Sequence, residues 1–315
     1  MERKQRTIKT SQSCQGIGLH TGVKSVITFH PAPENYGIRF IRSDIKNCTE
    51  IKADIDHVVD ISRGTTIEEN DVRIHTVEHA LAAVSGLRLD NILIELTSKE
   101  PPVMDGSAKD FVECLIKAGI QVQEEERKIL EITTAVNYTN PYRDIDIHVI
   151  PSDRFRITFM VEYNLPALGT QYEAIYNMEE DFAFEVAPAR TFCFLSEVEM
   201  LKEQGLIKGG ALDNAVVIID KEIDSMEMQR LKNLFGIEKN IIEGANGILN
   251  GKLLRFKNEP VRHKTLDLIG DLALLGVPIK GHVTAARAGH ASNVEFVKKL
   301  KKQYSKELSG ILNNE

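Results

Sequence analysis

The sequence predicts an α+β protein made of two similar halves. One order of elements, several strands followed by helix, strand and helix, can be read twice along the chain. At 315 residues and 35.3 kDa the chain also exceeds the usual size of a single hydrophobic core. An acidic run, Glu124-Glu125-Glu126, offers a linker between the repeats. The halves are therefore placed at residues 1–126 and 127–315.

The first half opens with strand-like runs at Arg6–Ser13, Lys24–His30 and Gly37–Arg42, rich in β-branched and aromatic residues. A helix follows at Thr76–Ser85, a strand at Asn91–Leu96 and a second helix at Ala108–Ala118. The breakers Pro101-Pro102 and Asp105-Gly106 fall between the last two. In the second half, strands are expected at Ile129–Tyr138, at the alternating run Asp144–Ile150 and at Phe155–Tyr163. That half closes with a helix at Arg262–Leu275, a strand at His282–Ala286 and a helix at Ala291–Tyr304. Gly86 and Gly276 are expected to end the first closing helix of each half as C-caps. The second half also carries an enlarged insert around residues 221–251, with a helical pattern at Met226–Phe235 and a Gly/Asn-rich stretch at Gly244–Gly251.

Composition narrows the function classes. Hydrophobic residues make up 42% and charged residues 27%, as in ordinary globular proteins. A net charge of −7 argues against nucleic-acid binding by bulk charge. Four cysteines without C-x-x-C spacing, and no leader ahead of them, favour free thiols in a reducing cytoplasm. No apolar run approaches the length needed to span a bilayer, which leaves at most transient contact with a membrane surface.

Two short segments carry the chemistry. In Arg262-His263-Lys264-Thr265-Leu266-Asp267, His263 and Asp267 are four apart, so a helix places both on one face as a two-point grip for a divalent cation. The same spacing also suits a plain charge pair. In His75-Thr76-Val77-Glu78-His79, a further histidine stands beside a carboxylate. Two histidines and one aspartate would leave a zinc ion one position for water, with Glu78 beside it as a base. This reads as a zinc-water hydrolase.

Seven motifs in order resemble the UDP-3-O-acyl-N-acetylglucosamine deacetylases, zinc enzymes of lipid A biosynthesis in Gram-negative bacteria. They are QRTIKTSQSCQGIGLHTG (Gln5–Gly22), DVRIHTVEHALAA (Asp71–Ala83), PPVMDGSAKDF (Pro101–Phe111), PARTFCFLSEVEML (Pro188–Leu201), GGALDNAVV (Gly209–Val217), VRHKTLDLIGDLALLG (Val261–Gly276) and AGHASN (Ala288–Asn293). The resemblance implies two two-layer α/β sandwich domains, each a sheet packed on helices, with the active site between them. A small insert in each half is implied too, the second helping to form a tunnel for an acyl chain.

For the site, the resemblance implies zinc on His79, His263 and Asp267, with Glu78 as general base. His290 becomes the general acid, with Asp271 as its partner. Thr191 would stabilise the oxyanion. Lys264 would bind a substrate carbonyl or phosphate, and Phe192 would line the pocket. Glu162 and Tyr163 would contact uridine, Tyr163 by stacking. The expected reaction removes the N-acetyl group from a UDP-linked, 3-O-acylated glucosamine and releases acetate, in the cytoplasm and by a monomer. The long span before His263 resembles the deacetylase part of enzymes fused to a hydroxyacyl dehydratase, and the sequence ending at Glu315 leaves no room for that second part. Two other readings stay open, a zinc amidohydrolase for a different N-acyl sugar and a non-catalytic nucleotide-lipid binding protein. Met104-Asp105-Gly106-Ser107 is explained by a tight turn and a serine N-cap alone.

Overall fold

The structure is a computed structural model that describes residues 4–62, 64–165, 168–235, 247–249 and 253–312. Two five-stranded sheets dominate it. The first runs in the spatial order Gln12–Ile17, Lys24–Pro31, Ile92–Leu96, Ile38–Arg42, Ile51–Lys52. The second runs Val136–Asn140, Ile145–Ile150, His282–Ala286, Arg156–Glu162, Thr170–Ile175. In each, the strand that comes last in the chain takes the centre. It lies parallel to the third strand, while every other pairing is antiparallel. The two halves thus share one topology, two sheets each covered by helices.

Among the described residues the helices are α1 (Glu78–Gly86), α2 (Lys109–Ala118), α3 (Met178–Asp181), α4 (Leu195–Glu203), α5 (Ser225–Phe235), α6 (Glu259–Ala273), α7 (His290–Gln303) and α8 (Ser305–Leu312). Within each half, the helix before the central strand is α1 or α6, and the helix after it is α2 or α7. Strand alternation supplies the apolar face beneath them: Ile92, Ile94 and Leu96 in the first sheet, Ile157, Phe159 and Val161 in the second. One continuous core joins Phe29, Phe40 and Phe111 of the first half to Phe159, Leu266 and Phe296 of the second.

Helices α1 and α6 meet across the junction of the halves. Sequence makes this close approach possible. Helix α1 presents Ala80, Ala82 and Ala83, all fully buried. Gly270 of α6 lies so near that an added Cβ would stand 2.2 Å from the carbonyl oxygen of Glu78. Proline at the start of α6 suits a first turn that needs no N–H there.

Several sequence expectations are corrected. Arg6–Ser13 is two strands, Lys4–Ile8 and Gln12–Ile17, broken at Lys9–Thr10 where the backbone turns to bond Gly119 and Ala118. Ile129–Tyr138 likewise divides into Leu130–Glu131 and Val136–Asn140. The acidic run Glu124–Glu126 is no loop; it ends the strand Ile120–Glu126, which pairs with Lys4–Ile8. Helix α1 begins at Glu78 because Thr76 adopts a left-handed backbone, φ 55°. Gly276 has the positive φ (81°) of a helix-terminating glycine, but Gly86 does not. Gly86 is still helical, and what it provides is room, since a Cβ there would meet the Phe182 ring at 2.2 Å.

Both halves carry extra elements. The first has a small sheet of Val58–Asp60, Thr66–Glu69 and Val72–Ile74. The second has Phe192–Phe194 paired in parallel with Val216–Ile218, together with α4 and α5. Leu195, Val198, Val217, Leu231 and Leu249 give this second insert a core of its own. Helix α5 coincides with the expected pattern at Met226–Phe235. Of the Gly/Asn-rich stretch Gly244–Gly251, residues 244–246, 250 and 251 lie outside the described residues.

Candidate active site

The junction of α1 and α6 gathers the ionisable side chains. His79, on the first turn of α1, and His263 and Asp267, one turn apart on α6, are all buried. One ligand atom from each falls within 4.8 Å of the others. Asp267 Oδ1 is 3.4 Å from His263 Nε2 and 3.8 Å from His79 Nε2. The imidazole rings stand edge to face, 5.0 Å between centroids. This is the one group of three or more potential metal ligands among the described residues.

The electrostatics suit a cation. Burial, with His263 adding to it, pulls the His79 pKa down to about 3, and burial lowers that of His263 as well. Both rings are therefore neutral with a lone pair to give. His263 Nδ1 donates to the carbonyl of Ala189 at 3.0 Å, which fixes the tautomer and leaves Nε2 free to accept a metal. Burial works against the Asp267 charge, but Lys264 and the histidines hold its carboxyl well below the usual carboxylate range. Lys264 Nζ donates to Asp267 Oδ2 at 2.9 Å. Two neutral imidazoles and a carboxylate at these separations are a donor set that fits a divalent ion such as zinc.

Glu78 and His290 flank the cluster. Glu78 is 3% exposed and its Oε2 accepts from the backbone N–H of Thr65 at 2.9 Å. Burial pushes its pKa up to about 7, against the pull of His290 and with help from Asp267 and Asp271. His290 opens α7, where the helix dipole disfavours a charged ring. Its Nδ1 nevertheless bonds Asp271 Oδ2 at 2.8 Å. Burial opposes the imidazolium, yet Asp271, Asp267 and Glu78 together push its pKa up to about 10. His290 Nε2 is turned to the cluster, 3.6 Å from Glu78 Oε1 and 3.8 Å from Asp267 Oδ2.

Two partners of this group gave little sequence signal. Thr65 Oγ1 donates to Asp271 Oδ1 at 2.6 Å, and Asn293 Nδ2 donates to Asp271 Oδ2 at 2.8 Å. Asn293 at least closes the AGHASN motif, but nothing about Thr65 in sequence separates it from any strand-edge threonine. His75, next to the same motif as Glu78, stands apart; its Nδ1 bonds the Thr66 hydroxyl at 3.0 Å.

A cavity of about 370 Å³ opens beside Lys264, walled by Tyr163, Phe192 and Phe194 and bordered by Glu162 and Arg287. Phe192 reaches the cluster, 6.4 Å from the His263 ring, and Lys264 Nζ lies 5.7 Å over the Phe192 face. Tyr163 packs edge-on against Phe192 and Phe194, and burial pushes its hydroxyl up to about 12. Glu162 is exposed and paired with Arg287 at 2.9 Å. Thr191 precedes Phe192 and is pinned by its backbone, its N–H donating to Gly106 (2.7 Å) and its carbonyl accepting from Val216 (2.9 Å). Ala108, not Ser107, is the N-cap of α2, and the Met104–Ser107 turn does more than lead into that helix. It holds the Thr191 strand and, through Asp105, binds Arg255 at 2.6 Å.

Fold and site define a two-domain α+β protein with a candidate mononuclear metal centre between an acidic and a basic side chain. The chain belongs to the UDP-3-O-acyl N-acetylglycosamine deacetylase family, whose model matches residues 5–236 and 219–302. The two matched stretches meet inside the second insert. The chain is 54% identical over 299 residues to the bifunctional enzyme LpxC/FabZ of Chlorobaculum tepidum, covering 95% of this chain and 64% of that protein. It is 38% identical over 300 residues to the bifunctional enzyme LpxC/FabZ of Bacteroides thetaiotaomicron, covering 95% and 65%. It is 39% identical over 302 residues to the UDP-3-O-acyl-N-acetylglucosamine deacetylase of Chlamydia pneumoniae, covering 95% and 98%. The chain thus spans just under two thirds of the bifunctional relatives and nearly all of the Chlamydia protein.

Proposed function

We propose that this chain is a zinc-dependent deacetylase that removes the N-acetyl group from a UDP-linked, 3-O-acylated N-acetylglucosamine, releasing acetate in the lipid A route. The convergence of His79, His263 and Asp267 on one buried point, with Glu78 and His290 on either side, carries this reading. Binding alone needs no such acid–base pair.

His79, His263 and Asp267 would hold the zinc ion, which when bound supplies a Lewis acid and lowers the pKa of water in the site. Glu78 takes the proton of the attacking water, a role suited to a carboxylate whose pKa burial brings to about 7. The hydroxyl of Thr191 donates to the oxyanion that develops on the amide carbonyl. His290, its Nδ1 tied to Asp271, presents the Nε2 proton to the departing sugar nitrogen, so that acetate and a free amine result. Lys264 keeps Asp267 oriented and offers a positive charge to substrate. Aromatic walls with Lys264 and Arg287 at the rim suit a nucleoside diphosphate, with Tyr163 against the base and Glu162 beside it. Phe192 and Phe194, partly buried and backed by Leu168, Val216 and Ile218, supply apolar surface for an acyl chain.

No helix among the described residues is long and apolar enough to cross a membrane. Membership of the deacetylase family supports a cytoplasmic enzyme. Metal analysis of the purified protein together with an acetate-release assay on the UDP-sugar tests the proposal. One zinc per chain is expected, with activity lost on chelation and restored by one equivalent of zinc. Full acetate release from demonstrably metal-free protein would sink it.

A further inference from the structure

We propose that Arg190 and Glu259 are positioning residues of the metal centre, a buried latch that aligns His263 for the cation. The inference rests on the zinc-dependent reading above.

Each end of the latch is anchored. Arg190 is 4% and Glu259 1% exposed. The guanidinium grips the carboxylate at two points, Nε to Oε1 at 2.8 Å and Nη2 to Oε2 at 3.0 Å, and the Arg190 backbone N–H adds a third bond to Oε1 at 3.0 Å. Glu259 Oε2 also accepts from the Arg255 N–H at 2.7 Å, and Arg190 Nη2 donates to the Leu253 carbonyl at 2.9 Å. Glu259 is the first residue of α6, and His263 stands one turn further on. Arg190 directly follows Ala189, whose carbonyl receives the His263 Nδ1 proton. Latch, carbonyl and imidazole therefore form a closed loop of bonds around one turn of α6.

A buried ion pair is a poor device for stability, because desolvation offsets most of its attraction. Its value here is geometric. A bidentate guanidinium–carboxylate pair fixes both distance and plane, which a lysine or an amide does not reproduce. Loosening it lets the Ala189 carbonyl drift from His263 Nδ1, so the ring is no longer held with Nε2 aimed at the cation.

The test is zinc affinity, measured by competition with a chelating dye on the full chain, for Glu259→Gln, Arg190→Lys and the double variant Arg190→Gln/Glu259→Gln. The double variant removes both charges together and so folds even where a single change strands one buried charge. Arg127→Lys serves as the control, since it weakens the Arg127–Asp90 pair (2.6 Å), which touches neither α6 nor Ala189. Variants of the latch should bind zinc roughly 10-fold more weakly, the usual scale for a group that orients a ligand. Arg127→Lys should lower Tm without changing zinc affinity. The latch is overturned if its variants bind zinc as tightly as the wild-type chain, or if Arg127→Lys weakens zinc equally at a similar loss of Tm. A wild-type chain that binds no zinc would overturn the metal reading itself, and this inference with it.

Discussion

Glu78 and His290 face each other at 3.6 Å with opposite preferences, a carboxyl inclined to keep its proton and an imidazole inclined to keep a positive charge. Catalysis as proposed needs Glu78 deprotonated and His290 protonated. The profile of kcat/KM should therefore rise as Glu78 loses its proton and fall as His290 loses its own. In the protein alone the two groups titrate near about 7 and about 10. A divalent cation between them favours the carboxylate and disfavours the imidazolium, so both limbs should move to lower pH in the zinc-loaded enzyme. Glu78→Ala should remove the acid limb and His290→Ala the alkaline one, each with a rate loss of roughly 100-fold or more. If neither limb moves, the assignment of base and acid is wrong. Stability follows the same sign. The His290 pKa is raised from 6.5 to about 10, so its stabilising contribution is complete below 6.5 and fades as pH climbs through about 10.

At the scale of elements, the contact of α1 with α6 decides whether the site exists. Gly270→Ala places a methyl group against the Glu78 carbonyl, which stands 2.2 Å from the added Cβ, so the helices must part. Overpacking of this kind costs about 1–3 kcal/mol. The expected outcome is a lower Tm together with a loss of acetate release larger than the loss of folded protein, read by comparing activity with circular dichroism at one temperature. Unchanged activity would mean that the helix separation is unimportant. Much at this scale was legible in sequence. A helix was expected at Arg262–Leu275 with Gly276 closing it, and i, i+4 spacing put His263 and Asp267 on one face. What sequence lacked was anything acting across distance. No local pattern reveals that Glu124–Glu126 finds a partner strand at the N-terminus, that Gly86 is small because of Phe182, or that Thr65 holds both Glu78 and Asp271. Such features depend on residues far apart in the chain, and only the packed structure supplies them.

The whole molecule repeats one sheet topology in two halves, yet one continuous core runs through both. The repeat was visible in sequence as an order of elements, because strand and helix periods survive when side-chain identity does not. The proposed ligands His79, His263 and Asp267 are divided between the halves, so a cation that binds only the folded chain should stabilise the whole. At a free zinc concentration 100 times Kd, the linkage amounts to about 2.7 kcal/mol. For a protein of this size that corresponds to a rise in Tm of roughly 4 °C. Calorimetry with and without chelator checks it, and identical Tm values would argue that the ligands do not meet in solution.

His79 belongs to one half, and His263 and Asp267 belong to the other. An ion held among them would work as a calliper, gripping only while the paired helices keep a single spacing. Any parting of α1 from α6 would open that grip. The rate at which the ion escapes would then serve as a clock for such an opening.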